Sequence, residues 1–152
     1  MSADLTILVG TVTGNAELVA EEMQLVLKKE RGMSVRVQLL DAVQPDVLRP
    51  GGTYLVCTST YGVGDLPDNA QDFFDELTAL APDLRGTRFG VYTLGDSVYS
   101  SSFCRGGEHF DSLLRKLGAV RVGELGRHDA SEDGLAEDCG ADWVRGWVRL
   151  LD

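Results

Sequence analysis

Apolar runs and helix-spaced apolar stripes alternate along this chain. Leu5-Thr6-Ile7-Leu8-Val9 is short and β-prone, the pattern of a strand buried on both faces. From Ala16 the period changes: Ala16, Val19, Ala20, Met23 and Leu27 recur at helical spacing, and Gly32 stands where such a helix stops. Val35 to Leu39 alternates apolar and polar as a strand does, and Gln44 to Pro50 reads as a short helix or turn. Tyr54-Leu55-Val56-Cys57 is another buried strand. Ala70, Phe73, Phe74 and Leu77 form the next helical stripe, entered through Pro67-Asp68, and Phe89 to Leu94 is a fourth strand. Phe103, Phe110, Leu113, Leu114 and Leu117 mark a third long helix that Gly118 ends. Val120 to Leu125 reads as a fifth strand, and Ala136, Cys139, Trp143, Trp147 and Leu150 stripe a last helix.

Five strands separated by helices predict an α/β, doubly wound parallel sheet with helices on both faces, and right-handed crossovers leave few ways to wind it. No repeat, linker or low-complexity tract interrupts residues 1–152, so one domain is expected. Such sheets bind ligands beyond the carboxyl ends of their strands, where strand order reverses. The loops to inspect are therefore residues 10–15, 58–68 and 94–102.

Gly10-Thr11-Val12-Thr13-Gly14-Asn15-Ala16 offers hydroxyls, a carboxamide and backbone amides at a helix start, with no Lys or Arg. That is an anion site built from neutral donors; the same residues also suit ordinary capping by Thr13 or Asn15. Neither G-x-x-x-x-G-K-[ST] nor G-x-G-x-x-G occurs, which demotes nucleotide hydrolysis and dinucleotide binding. Thr58-Ser59-Thr60-Tyr61-Gly62-Val63-Gly64-Asp65 places a tyrosine between hydroxyls and glycines. It suits a flat ring stacked on the phenol, or a glycine-rich turn with a surface tyrosine. Leu94-Gly95-Asp96-Ser97-Val98-Tyr99 brings a second tyrosine from a second small-residue loop. Taken together, two aromatics and an anion loop describe a pocket for a planar ring with a phosphate tail.

Charge and cysteine usage narrow the classes of partner. The formal charge of −10 argues against nucleic acid and an anionic membrane surface, and favours partners with basic docking faces. Apolar residues make up 43% of the chain, and no stretch approaches the roughly 18 residues of a membrane span. Met1-Ser2-Ala3-Asp4 has no basic segment ahead of its apolar run, so no secretory leader is expected. Cys57, Cys104 and Cys139 lie far apart and form neither a C-x-x-C pair nor a disulfide framework, which fits a reducing, cytoplasmic setting. His109 and His128 have no ligand-spaced partners, so packing or surface roles are expected rather than metal.

The sequence resembles the flavodoxins, in particular short-chain flavodoxins and the FMN domains of diflavin reductases of the sulfite reductase flavoprotein type. The resemblance spans nearly the whole chain and is carried by Thr11 to Glu17, Ser59 to Asp65, Asp68 to Phe73, and Gly95 to Tyr99 with Phe103-Cys104. The Tyr99-to-Phe103 interval is one residue longer than the Tyr-x-x-Phe-Cys usual in the family. Flavodoxins are themselves a standard example of ligand placement at the switch point, so that placement is not independent support.

The resemblance implies strand order 2-1-3-4-5 and FMN as cofactor. It implies that Thr11, Val12, Thr13, Gly14, Asn15 and Ala16 wrap the phosphate. Ser59, Thr60, Tyr61 and Gly62, with Gly64 and Asp65 beyond, border the isoalloxazine. Leu94, Gly95, Asp96, Tyr99, Phe103 and Cys104 form the other wall, with Tyr99 on the second face. Asp129, in the loop after strand five, approaches the flavin in some relatives. The implied activity is single-electron shuttling between a flavin- or NADPH-dependent reductase and an acceptor enzyme. Rival readings are an FMN-dependent quinone or nitro-compound reductase and a flavin-free interaction module. A phosphoacceptor domain is disfavoured because Gly10-Thr11 and Thr58-Ser59 stand where its carboxylates are needed.

Overall fold

Alternate residues of a strand point to opposite sides of its sheet, and here the two sets feed two cores. The computed structural model describes residues 4–11, 14–59, 66–95, 105–130 and 133–152. Its elements are β1 (Leu5–Gly10), α1 (Asn15–Arg31), β2 (Val35–Leu39), β3 (Thr53–Ser59), α2 (Asp68–Leu80), β4 (Arg88–Gly95), α3 (Arg105–Lys116), β5 (Val120–Arg121), β6 (Gly126–Asp129) and α4 (Ala136–Arg149). The short helix or turn expected after β2 is a 3-10 turn, Pro45–Val47, preceded by another at Leu40–Ala42.

The strand order is β2-β1-β3-β4, with β5 and β6 both alongside β4, and all pairs are parallel. This is the doubly wound sheet expected. Leu5, Ile7, Val9, Leu55, Cys57 and Tyr92 join the core under α1 and α4. Leu8, Tyr54, Val56, Phe89 and Val91 join the core under α2 and α3. Near-continuous apolar runs are what a strand covered on both faces requires. Gly32 stops α1 in a left-handed conformation, φ 64°, where its amide donates to the Lys28 carbonyl and the Met33 amide to the Leu27 carbonyl.

Two sequence expectations need correction. The fifth strand is not continuous from Val120 to Leu125. β5 pairs Val120 and Arg121 with Arg88 and Phe89. Pairing resumes only at Gly126, opposite Tyr92. Between them the backbone is held out of register: the Val122 carbonyl accepts the Trp147 indole N–H at 2.9 Å, and the Gly123 carbonyl accepts Arg121 Nε at 3.0 Å. Side chains have claimed carbonyls that a regular ladder would use. In α4 the buried line is Gly140, Ala141, Val144, Trp147 and Val148, while Leu150 is 58% exposed. The buried line runs through a glycine and an alanine, which carry little hydrophobic signal, because α4 packs closely on α1. A Cβ on Gly140 would lie 2.5 Å from Val19 Cγ1.

Candidate functional site

The carboxyl ends of the central strands converge. Gly10 at the end of β1 lies opposite Thr58, Ser59 opposite Leu94, and Gly95 opposite Asp129. From the adjacent strands β1 and β3 the chain departs to opposite faces, into α1 and α2. A crevice opens between these two departures, as doubly wound sheets require.

Its β1 side is built by backbone. Gly14 caps α1 in a left-handed conformation, φ 89°, and has no side chain to close the helix. The expected alternative of capping by Asn15 does not occur, since Asn15 is the first helical residue. Thr13, like Val12, lies outside the described residues. The Gly14 amide donates to Thr11 Oγ1 at 2.9 Å, and the first helical bond runs from the Leu18 amide to the Gly14 carbonyl at 3.1 Å. The amides of Asn15, Ala16 and Glu17 are therefore in the turn that no intrahelical carbonyl reaches. Among the described residues, nothing stands within 4 Å of where a Gly14 Cβ would be. Because the Thr11 hydroxyl oxygen already accepts, its proton remains to be donated elsewhere.

Amides without an intrahelical acceptor and a hydroxyl donor at a helix N-terminus, with no described residue against Gly14, suit a phosphate monoester. The helix dipole contributes about 0.3–1 kcal/mol to an anion there, up to ~2 when partly buried. Ala16 takes part through its backbone only, since its side chain is fully buried.

The underside of this turn is apolar and buried. Cys57 Sγ, on β3, donates to the Ala16 carbonyl at 3.5 Å. Burial pushes the Cys57 thiol up to about 12, so it stays neutral beneath the first turn of α1. Beside the loop, Thr11, Asn69, Asp41 and Asp68 line a groove of about 370 Å³. Asn69 Oδ1 accepts the Thr11 amide at 2.8 Å, and Asn69 Nδ2 donates to the Val9 carbonyl at 3.4 Å. Sequence reading gives Asn69 no role beyond its place in the Asp68–Phe73 segment. An asparagine in a first helical turn looks like local capping, and its cross-chain bonds exist only once α2 is docked on β1.

Of the expected site residues, Thr11, Gly14, Asn15, Ala16, Ser59, Leu94 and Gly95 are brought to this end of the sheet. Val12, Thr13, Thr60, Tyr61, Gly62, Gly64, Asp65, Asp96, Tyr99, Phe103 and Cys104 lie outside the described residues. Asp129 is not in a loop after the last strand: it ends β6, and its carbonyl and amide close a turn with Asp133, each bond 2.8 Å long. His128 is buried, with Nε2 2.7 Å from the Gly134 carbonyl. Among the described residues no group of acidic, histidine or cysteine side chains could hold a metal, and no helix is long and apolar enough to cross a membrane.

Comparison with known proteins agrees with this geometry. The Flavodoxin family model matches residues 7–143. Flavodoxin YqcA of Pectobacterium carotovorum subsp. carotovorum is 41% identical over 150 residues, covering 99% of this chain and 98% of that protein. Protein MioC of Escherichia coli (strain K12) is 34% identical over 149 residues, covering 98% of this chain and 99% of that protein. A solved cysteine-to-serine mutant of the flavodoxin from Pseudomonas aeruginosa superposes with a TM-score of 0.83 at 35% identity, over 97% of each chain. The matched span takes in the amide-lined turn, the convergent strand ends and the split last strand, and the chain belongs to the flavodoxin family of FMN-binding electron-transfer proteins.

Proposed function

We propose that the chain holds FMN across the crevice between β1 and β3 and passes single electrons from a flavin- or NADPH-dependent reductase to an acceptor enzyme with a basic docking face. The observation that carries this reading is the start of α1, where the amides of Asn15, Ala16 and Glu17 have no intrahelical acceptor, the Thr11 hydroxyl lies beside Gly14, and no described residue fills the space next to Gly14. Thr11 to Ala16, with Val12 and Thr13, bind the phosphate without a cation. FMN, when bound, supplies the one- and two-electron redox chemistry. Tyr61 and Tyr99 stack on the two faces of the ring, each contributing about 0.5–1.5 kcal/mol beyond area burial. Ser59 to Gly62 with Gly64 and Asp65, and Leu94 to Asp96 with Phe103 and Cys104, enclose its edge and exclude water. No residue of the chain is asked to break a bond.

The acidic surface, −10 overall, supports the reading of the partner, since opposite charge raises encounter rates. Titration calorimetry of refolded apoprotein tests the whole reading. FMN is expected to bind in a one-to-one ratio and yield a visible flavin spectrum, with riboflavin bound more weakly. Absence of heat with FMN and well-folded apoprotein overturns it. Tyr99→Ala is expected to weaken FMN and riboflavin by the same factor, about 3- to 10-fold. Equal affinities in Tyr99→Ala and the parent protein remove the stacking role.

A further inference from the structure

We propose that Asn69 is a positioning residue that sets the geometry of the phosphate turn and so the preference for a phosphorylated flavin. The proposal rests on the reading of Thr11 to Glu17 as the phosphate site. Asn69 sits in the first turn of α2, 58 residues along the chain from Thr11. Its carboxamide brackets Gly10: Oδ1 takes the amide of Thr11 and Nδ2 gives to the carbonyl of Val9. Gly10 is itself clamped, because a Cβ there would lie 2.6 Å from Thr58 Oγ1 and 3.1 Å from Ala70 Cβ.

Thr11 links Asn69 to Gly14 through two of its polar groups. Its amide is held by Asn69, and its hydroxyl oxygen receives the amide of Gly14. A continuous relay therefore runs from α2 through Asn69 and Thr11 to Gly14, the residue that aims the first amides of α1. With alanine at position 69 the Thr11 amide has no acceptor there and faces a groove whose other walls include Asp41 and Asp68. Holding donors at fixed spacing before the ligand arrives lowers the ordering cost of binding. That benefit belongs to the phosphate alone, because the relay touches only the phosphate turn.

Calorimetry with FMN and with riboflavin, on the parent apoprotein, Asn69→Ala and Asn69→Asp, separates the possibilities. Asn69→Ala is expected to lose about 10-fold in FMN affinity, the worth of about one hydrogen bond, while riboflavin affinity changes by less than about 2-fold. Amide hydrogen exchange at Thr11 is expected to speed up in the apoprotein of the same variant, a change that needs no cofactor. Asn69→Asp keeps the acceptor for Thr11 and covers the case in which alanine prevents folding. Because it also loses the donor to the Val9 carbonyl, it is expected to weaken FMN at all salt concentrations and most at low salt, where its added charge is unscreened, while riboflavin affinity changes by less than about 2-fold at high salt. Equal losses for FMN and riboflavin, or unchanged FMN affinity in Asn69→Ala, overturn the proposal. So do FMN and riboflavin affinities that fall by the same factor in Asn69→Asp at high salt. If the parent apoprotein binds both flavins equally, the phosphate site itself is misread, a different failure from a parent that prefers FMN while Asn69→Ala leaves the preference intact.

Discussion

Cys57 shows how one residue is shaped by its layer. In sequence it is a cysteine in an apolar run; in the fold it is fully buried on the α1 face, with its S–H toward the Ala16 carbonyl. Removing the thiolate from water costs free energy, and the thiol is pushed up from 9.0 to about 12. The unfolded chain binds fewer protons than the folded one between these values. Stability is therefore fully present below pH ~9 and declines as pH rises toward ~12. Cys57→Ala is expected to show a shallower alkaline limb in denaturant titrations than the parent, after allowing for the offset of the lost side chain. Identical alkaline slopes would show that Cys57 does not set this limb. The same burial predicts that alkylating reagents at neutral pH label Cys139, which is partly exposed, and leave Cys57 unmodified until the protein unfolds. Peptide mapping by mass spectrometry reads this out.

Between elements, the close approaches fall on residues that hydrophobic periodicity ignores. A Cβ on Gly90 would lie 2.4 Å from Trp147 Nε1 and 2.5 Å from its Cε2. That indole also holds the Val122 carbonyl where the last strand breaks. Gly90→Ala is expected to cost about 1–3 kcal/mol through overpacking, seen as a lower urea midpoint with unchanged slope. The break is tied down on the other face by Asp111 of α3, whose side chain is 7% exposed and lies 2.9 Å from Arg121 and 3.3 Å from Arg115. Asp111 Oδ1 has no hydrogen-bond partner among the described residues, so the carboxylate depends on these two guanidinium groups. Removing Arg121 leaves a buried charge with Arg115 alone. Arg121→Ala is expected to cost about 2–4 kcal/mol, and Asp111→Asn, which also removes the charge, about half as much. Chemical denaturation of both variants checks the order; a reversal would mean that the pair does not govern β5.

At the scale of the whole molecule, the net charge of −10 acts on ligand and partner with opposite salt dependence. FMN carries close to two negative charges at neutral pH, and no cation of the Thr11–Ala16 segment offsets them. Screening relieves the repulsion, with a Debye length of ~8 Å near 0.15 M salt. FMN affinity of the apoprotein is expected to rise a few-fold between low and physiological salt, while riboflavin affinity stays level. Electron transfer to a partner with a basic face is expected to slow over the same range, because attraction is what salt removes. Fluorescence titration and stopped-flow reduction measure the two directly. A fall in FMN affinity with salt would show that an unsuspected cation reaches the phosphate.

What the amino-acid order settled by itself was the alternation of strands and helices, the two-sided burial of the central strands, and the small-residue loop that opens α1. These follow from local physics: period, β-propensity, and a small-residue turn opening a helix. The expectation of a stripe through Leu150 in α4 and an unbroken fifth strand failed because the deciding contacts are between elements. Gly140 against Val19, Trp147 on Val122 and Arg121 on Asp111 leave no periodic trace. The role of Asn69 was hidden for the same reason, since a carboxamide in a helix start shows its partner only when that helix lies across the strand it grips. Tertiary structure decided which backbone amides were spent and which were left for a ligand, because each hydrogen bond depends on a neighbour far away along the chain.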